Sequence, residues 1–354
     1  MRSGELRIAI IGAGQITRNK HIPGLKSIPG VRIVGVCNQR RESSSRVARE
    51  FDIPRVYSSW ENAIEDEEVD AVLIGAWPYL HCPVTLAAFD ADKHVLTQAR
   101  MAMNAREAQR MYDRSKECPH LTAMIVPSPY GLTGDAYVRS LIDGGFLGTL
   151  REVHVHGLTS DLADPKTPLS WRQMTKYSGF NMLTLGILFE TAARWTPQVN
   201  RVFAYASKLV PVRLDPETGK PARVGTPDSV QVLTAHEGGA CGTYRFSGVV
   251  CHGTGMGVAL HGSDGTLVYD LVRDEIRGAK RGAPLEAMPV PDDLRGGWQV
   301  ESDFVAAVRG ERAVSHTTFA QGVRYMQFTE AVARSSRHQH PVLLPLQEFS
   351  NPSL

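Results

Sequence analysis

Leu6 to Ile11 is an unbroken apolar run of strand length. A run with no polar alternation suits a strand covered on both faces. Helical and strand-like patterns then take turns along the chain. Helices are predicted over residues 15–27, 43–51, 61–65, 83–91 and 105–117, with Val47 and Phe51 spaced to face inward. Strands are predicted between them over residues 31–37, 71–76, 94–97 and 121–126. Parallel neighbours need crossover connections, so this βα alternation predicts a doubly wound parallel sheet.

After Pro127 the pattern changes. A helix over 134–144 precedes residues 151–159, which alternate and carry β-formers. Strand-like segments follow at 202–210, 229–236, 241–247, 257–261 and 266–270. Glu237-Gly238-Gly239 and Ser263-Asp264-Gly265 separate some of them, which predicts hairpins. Residues 211–227 read as a hairpin excursion or surface loop, and helices are expected over 183–195, 300–308 and 319–334. The expectation is an α/β protein of two domains. Residues 1–126 form the parallel sheet, and residues 127–354 form an α+β domain with one large, mainly antiparallel sheet.

The 354 residues are enough for two cores, and the apolar and charged fractions are ordinary for a globular chain. A net charge of +2 without a stripe of Lys and Arg argues against a nucleic-acid partner. No apolar stretch is long enough to cross a bilayer. Met1 to Leu6 runs directly into the first strand, which predicts no secretion signal. Five cysteines, far apart and never in a C-x-x-C pair, read as reduced thiols of a cytoplasmic protein, with neither a disulfide framework nor a metal site.

Gly12-Ala13-Gly14 after the first strand is the chemical signal in the first domain. The first glycine permits a tight turn; the second lets backbone approach a pyrophosphate at the helix N-terminus, where Gln15 and Ile16 begin the helix. Thr17 stands where a third small residue is usual, which predicts slightly looser packing of helix on strand. The second strand ends at Cys37-Asn38-Gln39-Arg40-Arg41 with no acidic residue before Glu42. Asn38 is suited to a ribose hydroxyl, and Arg40 or Arg41 to a 2′-phosphate. NAD(P) is therefore expected, with NADP slightly favoured. Trp77-Pro78-Tyr79-Leu80-His81 follows the third long strand, at the carboxyl edge where such sheets bind ligands.

These segments, with Asp92-Lys93-His94-Val95-Leu96-Thr97-Gln98-Ala99-Arg100, resemble the glucose–fructose oxidoreductase/inositol dehydrogenase/MocA (Gfo/Idh/MocA) family. The resemblance implies a Rossmann domain, nicotinamide-dependent chemistry on sugars or cyclitols, and a homo-oligomer built on the large sheet. The family's run is G-K-H-V-x-x-E-K-P, and Gln98, Ala99 and Arg100 occupy its last three positions. Ala76 to His81 resemble T-P-N-x-x-H, with His81 at the histidine and Pro78 one place after the proline. Gly12, Gly14, Gln15, Ile16, Asn38, Arg40, Arg41, Trp77, Pro78, His81 and Gln98 form the expected cofactor-binding set.

The family's second motif, D-x-G-x-H, corresponds to the segment around Gly186, where Thr184 replaces the aspartate and Leu188 the histidine. With Ala99, all three expected proton-handling positions are non-ionisable. A replacement acid or base is sought among Tyr177, Lys176 and Tyr130, in that order. Arg100, Trp171, Arg172, Asn181 and Thr184 are the expected contacts of a small-molecule substrate. His154 and His156 share a strand face without a nearby carboxylate or cysteine at ligand spacing, so no metal is expected. Glu190 reads as a paired helix carboxylate. The leading expectation is an oxidoreductase with an atypical proton relay. The alternatives are a hydrolase or lyase that keeps its nicotinamide cofactor bound without net redox change, and an inactive cofactor- or sugar-binding protein.

Overall fold

The computed structural model describes residues 4–352. Met1 to Ser3, on which the expectation about a secretion signal partly rests, lie outside the described residues. The chain forms two compact units. The first holds the chain to Pro127 together with Gln299–Arg324; the second holds Ser128–Trp298 with Tyr325–Asn351. The sequence-based division into consecutive stretches 1–126 and 127–354 did not include this return to the first unit.

Unit 1 is built on β1 (Leu6–Ile11), β2 (Val31–Cys37), β3 (Arg55–Val56), β4 (Ala71–Ile74), β5 (His94–Thr97) and β6 (Ala123–Ile125). All pairings are parallel, in the order β3-β2-β1-β4-β5-β6. Every residue of β1 and β4 is buried, as their unbroken apolar sequences require. The connecting helices are α1 (Ile22–Lys26), α2 (Arg41–Glu50), α3 (Trp60–Glu65), α4 (Pro78–Asp90) and α5 (Ala105–Glu117). A π-helical turn, Thr17–His21, leads into α1, so the chain is helical from residue 15 to residue 26. Asn104 caps α5 by accepting from the Glu107 N–H at 2.9 Å. α4 begins at Pro78, five residues earlier than expected, with Pro83 inside it. Both prolines can begin a helix, and Pro78 takes that first-turn position. The order reverses between β2 and β4 around β1, which makes the carboxyl end of β1 the topological switch point.

Unit 2 carries α6 (Asp135–Asp143), α7 (Thr175–Ser178) and α8 (Leu185–Ala193) beside a nine-stranded sheet. Its central strand is β7 (Leu150–Leu158), and β8 (Val199–Ser207) lies one strand in from an edge. The hairpin β9 (Val212–Leu214) with β10 (Pro221–Arg223) stands apart as the expected excursion. β11 (Ser229–His236), β12 (Cys241–Ser247), β13 (Gly255–Gly262), β14 (Gly265–Asp270), β15 (Glu275–Lys280), β16 (Glu286–Ala287) and β17 (Val342–Leu343) complete the sheet. All pairings are antiparallel except β12 with β7. The two helices after this sheet are α9 (Val300–Val308), which belongs to unit 1, and α10 (Phe319–His338). One sheet face is closed by aromatic packing: Phe189 of α8 stacks on Phe328 of α10 at 3.7 Å between centroids, and both rings lie against buried Tyr244.

Candidate active site

The switch point of unit 1 brings the ends of β1 and β4 into backbone contact. Gly12 has φ +91°, and a Cβ there would lie 2.3 Å from the Ala76 nitrogen. Gly75 answers from the other side: a Cβ on it would lie 2.2 Å from the Gly12 carbonyl oxygen and 2.4 Å from Thr17 Oγ1. Thr17 is wholly buried, with Oγ1 donating to the Gly12 carbonyl at 3.3 Å. The looser packing expected for a threonine here does not arise, because Gly75 provides the space.

Gly14 differs. Its nearest would-be Cβ neighbour is 4.0 Å away. Gly14, Gln15 and Ile16 are exposed at the start of the helical run, Ile16 at 38%. This geometry fits a pyrophosphate: one glycine is required by the fold, and the next keeps open the space over the helix N-terminus. Asn38 braces the loop from β2, accepting from the Ala13 N–H at 2.6 Å and donating to Ser43 Oγ at 3.0 Å. Arg40 and Arg41 are exposed at the start of α2.

The loops after β4 and β5 are tied together by His81. Its ring nitrogens lie 2.9 Å from the Ala76 and Arg100 carbonyl oxygens, and burial lowers its pKa despite these acceptors. His81 therefore serves as a brace inside unit 1. Trp77 and Tyr79 are half-buried at the start of α4, with ring centroids 6.4 Å apart. Gln98 follows β5, its N–H donating to Ile74 O at 2.9 Å. Ala99 is half-buried at the position the resemblance assigns to lysine; Arg100, joined to it by a cis peptide, is buried.

Unit 2 gathers the remaining candidates around α7 and the approach to α8. Arg172 lies over the Trp171 ring at 4.5 Å, and Lys176 over the Tyr177 ring at 4.6 Å. Arg172 is exposed as a residue, yet protein packs closely enough around its guanidinium that desolvation lowers its pKa. Asn181 is buried and donates to Ser178 O at 2.8 Å; Thr184 precedes α8, and Leu188 is buried in it. Glu190 is a structural carboxylate. It pairs with Arg194 at 2.7 Å and accepts from the Ser128 N–H at 3.0 Å, while Arg194 donates to Ser128 O and Tyr130 O. This buried pair fixes the loop that carries Tyr130, whose phenol is pushed to higher pKa by burial and by Asp161. His154 pairs with Glu152 and Thr243, and no cluster that could hold a metal occurs among the described residues. No helix of the described residues is long and apolar enough to cross a membrane.

Residues missed by sequence reasoning are His21 and Glu301. His21 Nδ1 lies 2.5 Å from Glu301 Oε1, and its Nε2 lies 2.5 Å from Gln98 Nε2. No sequence pattern could connect positions separated by 280 residues.

A parallel sheet in this order, with a glycine turn at its switch point, defines a dinucleotide-binding α/β protein, here joined to a second unit with a large open sheet. Residues 6–124 match the oxidoreductase family with an NAD-binding Rossmann fold, and residues 136–268 match the Gfo/Idh/MocA C-terminal domain. The chain belongs to the Gfo/Idh/MocA family of NAD-dependent oxidoreductases. It is 28% identical over 272 residues to the myo-inositol 2-dehydrogenase of Thermotoga maritima, covering 76% of each chain. An oxidoreductase domain protein from Kribbella flavida has a similar fold, with a TM-score of 0.87 at 21% identity over 96% of this chain and 99% of that one. A levoglucosan dehydrogenase solved with NADH and L-sorbose gives 0.86 at 22% identity over 96% and 99%.

Proposed function

We propose that this chain is an NAD(P)-dependent oxidoreductase of a sugar, cyclitol or related small molecule, with a proton relay of its own. The observation that carries the reading is the contrast at the switch point, where Gly12 is locked by the fold and Gly14 stands open above a helix N-terminus. The inositol and levoglucosan dehydrogenases among its relatives support the substrate class.

Gly12, Gly14, Gln15 and Ile16 would hold the pyrophosphate. Asn38 with Arg40 or Arg41 would face the adenosine ribose, the exposed arginines slightly favouring NADP. Trp77, Pro78 and Gln98 would border the nicotinamide half, with His81 bracing the loops. When bound, the cofactor supplies hydride transfer. The chain's residues must orient the substrate and move its hydroxyl proton, a task Ala99, Thr184 and Leu188 cannot perform. Tyr177 is the first candidate for that proton, then Lys176, then Tyr130; the raised pKa of Tyr130 suits a neutral donor better than a base. Arg100, Trp171, Arg172, Asn181 and Thr184 would contact substrate. The protein is proposed to work in the cytoplasm as a homo-oligomer.

The test follows reduced-cofactor absorbance across a panel of sugars and cyclitols with both oxidised cofactors. Net reduction with at least one substrate is the expected result. The loss of three ionisable positions favours one second reading, a bound-cofactor hydrolase or lyase, which would give product without net change in cofactor. Cofactor binding without turnover on the whole panel would instead identify an inactive binding protein.

A further inference from the structure

Behind Gln98 lies a buried relay of side chains, all within unit 1. His21 is inaccessible, and Glu301 and Gln98 are 4% and 8% exposed. Glu301 Oε1 faces His21 Nδ1 at 2.5 Å, and His21 Nε2 faces the Gln98 amide nitrogen at 2.5 Å. A carboxylate at Nδ1 draws the ring proton to that nitrogen and leaves Nε2 as an acceptor. The Gln98 NH2 then donates to Nε2, and its carbonyl oxygen is the end left for another partner. The two ends of a glutamine amide have nearly the same shape and opposite hydrogen-bonding sense, so the imidazole decides which end is presented. Gly24 packs directly on this carboxylate: a Cβ on Gly24 of α1 would lie 2.8 Å from the Glu301 carboxyl carbon, so a larger residue there would displace it.

Resting on the dehydrogenase reading, we propose that Glu301 and His21 are positioning residues that hold Gln98 with its carbonyl oxygen toward a hydrogen-bond donor on the nicotinamide half of the cofactor. The resemblance puts glutamate at this position, and a carboxylate accepts through either oxygen. A glutamine accepts through one end only, so replacing the acid requires something to set the amide's orientation. Glu301 and His21 supply that constraint from α9 and the first helical run.

The test is titration of the full chain with NADH, read by fluorescence without substrate. Gln98→Leu should weaken binding about tenfold, the loss of roughly one neutral hydrogen bond. His21→Leu should do the same, and the double variant should bind no more weakly than Gln98→Leu alone, because both changes remove one interaction. Glu301→Gln lets either end of an amide face Nδ1, so the ring tautomer is no longer fixed, and NADH binding should weaken, though by less than in Gln98→Leu. If His21→Leu does not fold, Gly24→Ala displaces the carboxylate without removing a relay member, and the same weakening and non-additivity are expected. Unchanged NADH affinity in Gln98→Leu, or additive losses in the double variant, overturns the proposal. Unchanged NADH affinity with a raised substrate KM assigns the oxygen to substrate and overturns it as stated. Failure of the parent chain itself to bind NADH removes the dehydrogenase reading, and this inference with it.

Discussion

Gly12 and Gly14 lie two residues apart and should fail differently when replaced. Gly12→Ala drives a methyl group into the Ala76 backbone at a positive φ and should lower thermal stability sharply. Gly14→Val finds open space within the chain; it should melt close to the parent temperature yet lose NADH binding, because the branched side chain fills the space proposed for phosphate. Equal melting losses for both would contradict this division of roles. Arg40→Ala and Arg41→Ala should weaken NADP more than NAD, and equal effects on both cofactors would remove the phosphate-clamp idea. Tyr177→Phe removes one hydroxyl and keeps the ring under Lys176; a fall in kcat of about a hundredfold is expected of an essential acid or base, and unchanged turnover would dismiss it. Ala99, Thr184 and Leu188 were legible because a motif fixes where to look. The brace made by His81 and the relay from Glu301 were not, since both depend on partners that only the folded chain brings close.

At the scale of elements, the strongly patterned segments were readable to the residue: β5, β11, β12, α5 and α9 span the expected ranges. Two-residue strands such as β3 and β17 carry no periodic signal and are defined by their sheet neighbours alone. β15 escaped notice because three of its six residues are the charged Glu275, Arg277 and Lys280 and two are the small Gly278 and Ala279, leaving Ile276 as its buried large aliphatic. Burial inside these elements also sets a pH response. His81, His94, His156, His236 and His261 all have pKa values lowered, chiefly by burial, from the ordinary 6.5. The unfolded chain binds protons that these rings resist, so their contribution is complete above about pH 6.5 and is lost as pH falls toward their folded pKa values. Glu107, raised by burial, opposes the trend by one group in mild acid. The melting temperature should therefore fall between pH 6.5 and pH 5, less steeply in His81→Gln; a flat or rising profile would contradict the assignment.

At the scale of the molecule, part of the second face of the large sheet is uncovered among the described residues. Phe203, Tyr205, Leu233 and Leu343 are 40%, 59%, 57% and 62% exposed, and Leu233 pairs directly with Phe203 across β11 and β8. A patch of this kind on a sheet face is suited to burial against a second copy. Light scattering at micromolar concentration should give a mass above that of one 38.8 kDa chain, and Phe203→Glu with Leu233→Glu should reduce it to a monomer at unchanged helix and strand content. A monomeric parent chain would count against the interface.

The return of residues 299–324 to unit 1 has a consequence for the order of synthesis. Thr318 bridges to Met124 along the outer edge of β6, and the Ile125 N–H donates to Thr317 O at 3.0 Å. On the ribosome the first six strands emerge long before this edge cover and before the carboxylate for His21. Until then β6 presents an open edge of the sort that pairs with strands of neighbouring chains. A gene fragment stopping at Pro127 should yield aggregating protein, while fusing residues 299–324 to it through a flexible linker should restore a soluble sheet.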